Sequence, residues 1–344
     1  MGLVGLLPAP VLGRRSFLAL AAGLLAAPVA APGAEARRYQ VGFANLTEDP
    51  GTRLEGLGFT GADVRASFAL AARALPVDMV FYDNDRNRAK TLADAEDAIA
   101  RKLDLYIQYC DDAGANVEIA KRMKTAGIPV LAITYPVPGS PLYGPDNTLA
   151  GRMAGEVLAN FAGAHWPGAR AVAVMIGDLG NAADHVPERV AGIAAALKER
   201  LPAAAQTRLD SNGNPAMAES LLRRFAAGES DSKLLVAALD DTTALLAKAA
   251  VEAAGRSVDT AIVSQGCDRS VHGGANDKKE IDPNNRGSIV IGSVAYLLDR
   301  YGYEVLPLAL NMLRGDPLPP RVATRHVLVT AANVFTIYPP IDMN

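Results

Sequence analysis

From Arg38 onward, short apolar runs alternate with longer Ala-rich runs in which apolar residues recur every three or four positions. The short runs predict strands over Tyr39–Ala44, Met79–Tyr82, Leu103–Gln108, Val130–Ile133, Ala171–Ile176, Leu234–Ala238, Ala261–Ser264 and Ser288–Ser293. The longer runs predict amphipathic helices, among them Ala89–Arg101, Asn116–Ala126, Pro187–Arg200, Met217–Ala227, Thr242–Ala254 and Leu306–Leu313. Regular alternation of strand and helix predicts an α/β fold of parallel sheets covered by helices on both faces. The stretch of about 308 residues from 37 onward exceeds what one core usually holds, so two lobes are expected.

Residues 104 to 151 are the most telling. A strand ends at Gln108, a helix returns to Ala126, and a Gly127-Ile128-Pro129 turn leads into a second strand ending at Thr134-Tyr135. Open parallel sheets bind ligands at the carboxyl ends of their strands, which makes Gln108, Thr134 and Tyr135 candidate contacts for a small molecule.

Ahead of this pattern stand Gly13-Arg14-Arg15-Ser16-Phe17-Leu18, an apolar run from Ala19 to Ala31, and Ala34-Glu35-Ala36. Together they match a twin-arginine export signal, with cleavage expected after Ala36 and a periplasmic destination. An uncleaved membrane anchor is the weaker reading, because Pro28 and Pro32 interrupt a run that falls short of the roughly 20 apolar residues a span needs. Cleavage takes the net charge from −3 to −4 by removing Arg14, Arg15 and Glu35. A mildly acidic chain without a basic run has no electrostatic footprint for nucleic acid. The two cysteines, Cys110 and Cys267, each follow an apolar strand and read as buried free thiols rather than a disulfide framework.

Several segments then carry a resemblance. The helix after Asp83-Asn84-Asp85, the strand Leu103–Gln108, Ala126-Gly127-Ile128-Pro129-Val130, and Asp146-Asn147 followed by Gly151 resemble the sugar-binding type I periplasmic binding proteins, solute-binding components of ABC transporters. Glu188-Arg189-Val190-Ala191-Gly192-Ile193 is similar to the family's Arg-x-x-Gly-Phe helix start. Asp240-Asp241 with its Ala-rich helix and the segment Gly302 to Gly315 continue the match. The family shares its fold with the ligand domain of LacI-type repressors. The resemblance implies two Rossmann-like lobes joined by a hinge of three crossovers, near Gly144–Pro145, Ser293–Ala295 and Ala323–His326. It places the first lobe at 37–144, the second at 145–295, a return to the first at 296–325, and a tail in the second at 326–344.

Carried over residue by residue, the resemblance makes Asn45, Gln108, Thr134, Tyr135, Arg189, Asp241 and Tyr296 the ligand-binding set. Gln108 stands where relatives place an Asn, and its amide can donate and accept. Capping of the next helix is its simpler role. Thr134-Tyr135 replace an Asp-Arg pair, which removes a charged contact and offers a ring for stacking. Arg189 can chelate a carboxylate or vicinal diol, or pair with Glu188 or Asp184. Asp241 can accept from two hydroxyls or cap its helix. Tyr296 replaces a Gln. The segment after the first strand, residues 44–53, lacks the family's aromatic pair, and its Glu48 and Asp49 read as solvated loop charges. The polar loop 271–285 does not have calcium-loop spacing.

These readings predict a monomeric periplasmic protein that captures a small polar solute, sugar-like or polyol, by hinge closure and delivers it to an ABC permease in the inner membrane. A sensor presenting its closed form to a membrane receptor is the alternative within binding. A periplasmic enzyme is the alternative outside it. The four histidines form no metal-spaced pair and no Gly-x-Ser-x-Gly elbow occurs, so no catalytic residue, metal or cofactor is expected.

Overall fold

The computed structural model describes residues 37–273, 280–285 and 287–339. The export segment and residues 274–279 of the polar loop lie outside the described residues. In chain order the elements are β1 (Tyr39–Asn45), α1 (Gly61–Ala72), β2 (Val77–Asp83), α2 (Arg88–Ala100), β3 (Leu105–Gln108), α3 (Ala113–Ala126), β4 (Val130–Ile133) and β5 (Leu142–Gly144). There follow α4 (Asn147–His165), β6 (Ala171–Gly177), α5 (Val186–Arg200), β7 (Ala205–Asp210), α6 (Pro215–Gly228), β8 (Lys233–Ala238), α7 (Asp241–Ala253) and β9 (Thr260–Gly266). The chain ends with α8 (Arg269–His272), β10 (Val290–Ala295), α9 (Tyr301–Arg314), β11 (Arg321–Ala323), β12 (Val327–Val329) and α10 (Val334–Ile337).

The strands form two sheets of six. One runs β11-β5-β4-β3-β1-β2 and is parallel throughout. The other runs β12-β10-β9-β8-β6-β7, parallel except where β12 lies antiparallel to β10. The α/β architecture expected from the sequence is thus present. Every residue of β3, β4, β6 and β9 is buried, as strands covered on both faces must be.

Short polar side chains start the helices. Thr60 and Asp63 form a reciprocal capping box on α1, and Asn87, Asp112, Asp146, Asn214 and Asp240 each accept from a first-turn backbone N–H. The Asp112 cap starts α3 three residues before the expected Asn116. One strand is displaced: β10 starts at Val290 rather than Ser288, because the Ser288 hydroxyl donates to Glu280 and its oxygen accepts from Val290 N, which makes Ser288 part of a turn. Both cysteines are free and buried, as the sequence suggested.

The chain passes between the sheets three times: after β5 at 145–146, after β10 at 296–300, and between β11 and β12 at 324–326. In the first lobe α1 packs on α9, and in the second α4 packs on α5. The α4–α5 contact is backbone to backbone. A Cβ on Gly151 would lie 2.0 Å from Arg189 O, and one on Gly192 would lie 2.2 Å from Thr148 O. Those two glycines fix where Arg189 enters the space between the sheets.

Candidate functional site

The carboxyl ends of both sheets face one another, and the long segment between β1 and α1 runs into the gap. Asn45 ties off its base: its Nδ2 donates to Gly61 O at 2.9 Å and its Oδ1 accepts from Leu46 N at 3.0 Å. Within the segment, Leu54–Gly56 makes one tight 3-10 turn, closed by Leu54 N donating to Phe59 O and Leu57 N donating to Leu54 O. Glu55 has a left-handed backbone at φ 56°, which is uncommon for a residue with a side chain.

Glu55 is fully buried, and its carboxylate gathers hydroxyl donors from the first lobe. Its Oε1 accepts from Thr134 Oγ1 at 2.6 Å, from Tyr109 at 2.8 Å and from Tyr301 at 3.2 Å. Among the described residues the other oxygen has one hydrogen-bond partner, the Tyr301 hydroxyl at 3.4 Å, which it shares with Oε1. Burial pushes the Glu55 carboxyl above the usual carboxylate range, against the pull of these hydroxyls and of the Arg189 guanidinium.

From the second lobe comes Arg189, near the start of α5 and fully buried. Its Nε donates to Asn147 Oδ1 at 3.0 Å and its Nη1 to Leu239 O at 3.1 Å. Its Nη2 donates to Asp184 O at 3.4 Å and, across the gap, to Glu55 O at 3.2 Å. The guanidinium lies 4.8 Å over the Tyr296 ring, a cation–π contact. The Tyr296 hydroxyl sits 2.8 Å from Gln265 Oε1 and 3.2 Å from Asn147 Oδ1. The pairing with Glu188 that the sequence allowed does not form; Glu188 lies beside His185, and Asp184 meets Arg189 through its carbonyl.

Asp241 is buried deeper in the second lobe. It accepts from Ser264 at 2.5 Å, Ser293 at 2.8 Å and Asp268 N at 2.7 Å, so both its oxygens have partners. Burial and the neighbouring Asp268 charge push its carboxyl well above the usual range. The cap of α7 is Asp240, not Asp241. On the other side, Gln108 Nε2 donates to Asn116 Oδ1 at 3.3 Å, while Asp112 caps α3. Gln108 Oε1 and Gln265 Nε2 are buried with no hydrogen-bond partner among the described residues. Tyr135 stacks on Tyr109 at 6.1 Å and reaches Asp184 Oδ1 at 3.5 Å across the gap.

Thus Thr134, Tyr135, Arg189 and Tyr296 converge on the gap, Asn45 anchors the inserted segment, and Gln108 and Asp241 flank it. Sequence reasoning passed over Glu55, Tyr109 and Tyr301. The available signal was a lone carboxylate inside Leu54-Glu55-Gly56-Leu57-Gly58-Phe59, an otherwise apolar run with two glycines that allow close approach. The loop charges behave as solvated or capping groups: Glu48 pairs with Arg65, and Asp49 accepts from Thr52. In the polar loop, Glu280 accepts from Lys248. Among the described residues no group of three or more His, Cys, Asp or Glu could hold a metal ion, and no helix is long and apolar enough to cross a membrane.

The profile of a family described as periplasmic binding protein domain matches residues 59–316. No curated protein matches the chain. Among solved structures, it is similar to an ABC transporter periplasmic solute-binding protein from Actinobacillus succinogenes with bound D-allose, at 15% identity and a TM-score of 0.66, covering 87% of this chain and 100% of that one. It is also similar to a solute-binding protein from Agrobacterium vitis with bound allitol, at 18% identity and a TM-score of 0.63, covering 88% and 98%. A third, from Mycobacterium smegmatis with bound glycerol, shares 20% identity at a TM-score of 0.62, covering 87% and 96%. At these identities the likeness speaks for the fold.

Proposed function

The chain belongs to the periplasmic binding protein domain family, and on that premise we propose that it is an exported solute-binding protein serving an ABC importer. Its solute is a small polar, hydroxylated molecule held between the lobes. Residues 1–36 act as a twin-arginine signal cleaved after Ala36, and the mature monomer works in the periplasm. Capture proceeds by rotation of the lobes 37–144 with 296–325 and 145–295 with 326–344 about the three crossings, an equilibrium that solute biases through contacts made only when closed. The permease in the inner membrane then takes the closed form.

One observation carries this reading: a guanidinium, fully buried, that reaches from one lobe across the gap to donate to the other. Such a group suits an oxygen-rich solute. The bound D-allose, allitol and glycerol of the structural neighbours agree with the same chemical class. Titration calorimetry and thermal shift with D-allose, allitol, glycerol, sugar acids and small cations test it. Saturable one-to-one binding without chemical change of the probe is the expected result. Turnover of any probe, or no response to the whole panel, would sink the reading.

A further inference from the structure

The β1–α1 segment reaches across the gap to Arg189 and to the neighbourhood of Asp241. Among the described residues, the Glu55 carbonyl holds the one Arg189 hydrogen bond that crosses the gap. Leu57 covers the second face: a Cβ on Gly266 would lie 2.8 Å from Asp241 Oδ2 and 3.6 Å from Leu57 Cδ2, so leucine and carboxylate flank the same spot. Gly58 seals the rim, since a Cβ there would sit 1.4 Å from Asp268 Oδ2. The segment therefore contacts Arg189 and the neighbourhood of Asp241 while hanging from the first lobe by Asn45.

We propose that Glu55 is the specificity-determining residue of this cleft, its carbonyl holding the Arg189 donor that a solute oxygen replaces on binding and its carboxylate accepting a solute hydroxyl. Three of the four Arg189 hydrogen bonds stay inside the second lobe, so a solute gains the fourth donor by replacing the Glu55 carbonyl with an oxygen of its own. The carboxylate has spare acceptor capacity at Oε2, whose one contact is at 3.4 Å, and the donors already gathered on Oε1 are all hydroxyls. A molecule that presents an acceptor oxygen and, beside it, a hydroxyl donor satisfies both groups at once. That is a vicinal diol.

The charge balance narrows the class further. Glu55 brings a buried carboxylate to the gap from the first lobe and Asp184 meets Tyr135 there from the second, while the Arg189 guanidinium bonds the backbone carbonyls of both residues. An anionic solute adds negative charge beside two carboxylates, whereas a neutral diol does not. The cleft therefore selects neutral sugars or alditols over sugar acids. This inference rests on the solute-binding reading given above. It assigns to Glu55 the carboxylate contact missing at Thr134-Tyr135, where the threonine now donates to it.

Calorimetry on the full protein with allitol, D-allose and the aldonate of allose tests the proposal, with Glu55→Gln and Glu48→Gln beside wild type. Glu55→Gln keeps the main-chain carbonyl and side-chain volume, and thermal melts check that it folds. Wild type is expected to bind allitol or D-allose and to reject the aldonate. Glu55→Gln should weaken the neutral probe at least tenfold and narrow its discrimination from the aldonate. Glu48→Gln, which removes a carboxylate of the same segment that pairs with Arg65 instead of entering the gap, should keep the neutral probe within threefold of wild type. Unchanged affinity and preference in Glu55→Gln, or a wild type that prefers the aldonate, overturns the role of Glu55 and leaves solute binding standing. A wild type deaf to every neutral and charged probe overturns solute binding itself, and this inference with it.

Discussion

Asp240 is half-buried and caps α7, accepting from Thr243 N at 2.7 Å, while Asp241 one residue later satisfies two serine hydroxyls and a backbone N–H in the interior. The two positions should respond differently to truncation. Asp240→Ala removes a cap and is expected to cost about 1 kcal/mol. Asp241→Ala strands three buried donors and is expected to cost about 3 kcal/mol. Urea unfolding at neutral pH separates the two; equal losses would mean that the buried network around Asp241 contributes nothing beyond a cap. The adjacent carboxylates also show what a sequence carries at this scale. Either aspartate could have been the cap, because only the angle at which the chain leaves β8 decides between them. Arg189 stood out from its helix-start motif, and Thr134-Tyr135 from their strand end. Glu55 did not, because its place depends on a left-handed turn far from any strand end and on hydroxyls contributed by the chain around β3, β4 and α9.

At the level of elements, the strands buried on both faces were legible as near-continuous apolar runs, and β1, β3, β4, β6, β8 and β9 fall within a residue or two of the expected spans. The missed ones lack that signal for physical reasons. β7, Ala-Gln-Thr-Arg-Leu-Asp, is an edge strand with no fully buried residue, and β5, β11 and β12 have three residues each. The close packing of α4 on α5 was also invisible, since small residues in an Ala-rich helix look alike until a neighbour is known. Gly151 and Gly163, both on α4, make the distinction measurable. A methyl group added at Gly163 would meet nothing within 4 Å, so Gly163→Ala should stabilise by about 0.5–1 kcal/mol through helix propensity. Gly151→Ala must push α5 away and should destabilise by about 1–3 kcal/mol, whatever it gains in propensity. Thermal melts of the two variants check both signs, and a stabilised Gly151→Ala would refute the close approach.

Across the whole molecule, one imidazole touches all three connections between the lobes. His326, on the third, has Nε2 accepting from Asp146 N on the first at 3.1 Å and Nδ1 donating to Ala295 O at the start of the second at 3.3 Å. The Tyr296 ring packs edge-on against it at 4.6 Å. Only a neutral ring with its proton on Nδ1 makes both bonds. Burial lowers the His326 pKa below its ordinary 6.5, opposed by the Ala295 carbonyl and the Asp146 charge and aided by Arg189. A depressed folded pKa means that the unfolded chain binds the proton first. Stability from His326 is therefore complete above 6.5 and is lost as pH falls through the lower folded value. Protonation also turns Nε2 into a donor facing the Asp146 N–H, which breaks the hydrogen bond between the first and third connections. His326→Phe should melt below wild type at pH 7.5, having lost both hydrogen bonds. Between pH 7.5 and 5 it should then lose fewer degrees than wild type, because the buried His272, held down to about 4, is the same in both proteins. Melting curves that stay parallel across that range would show that His326 does not carry the acid response.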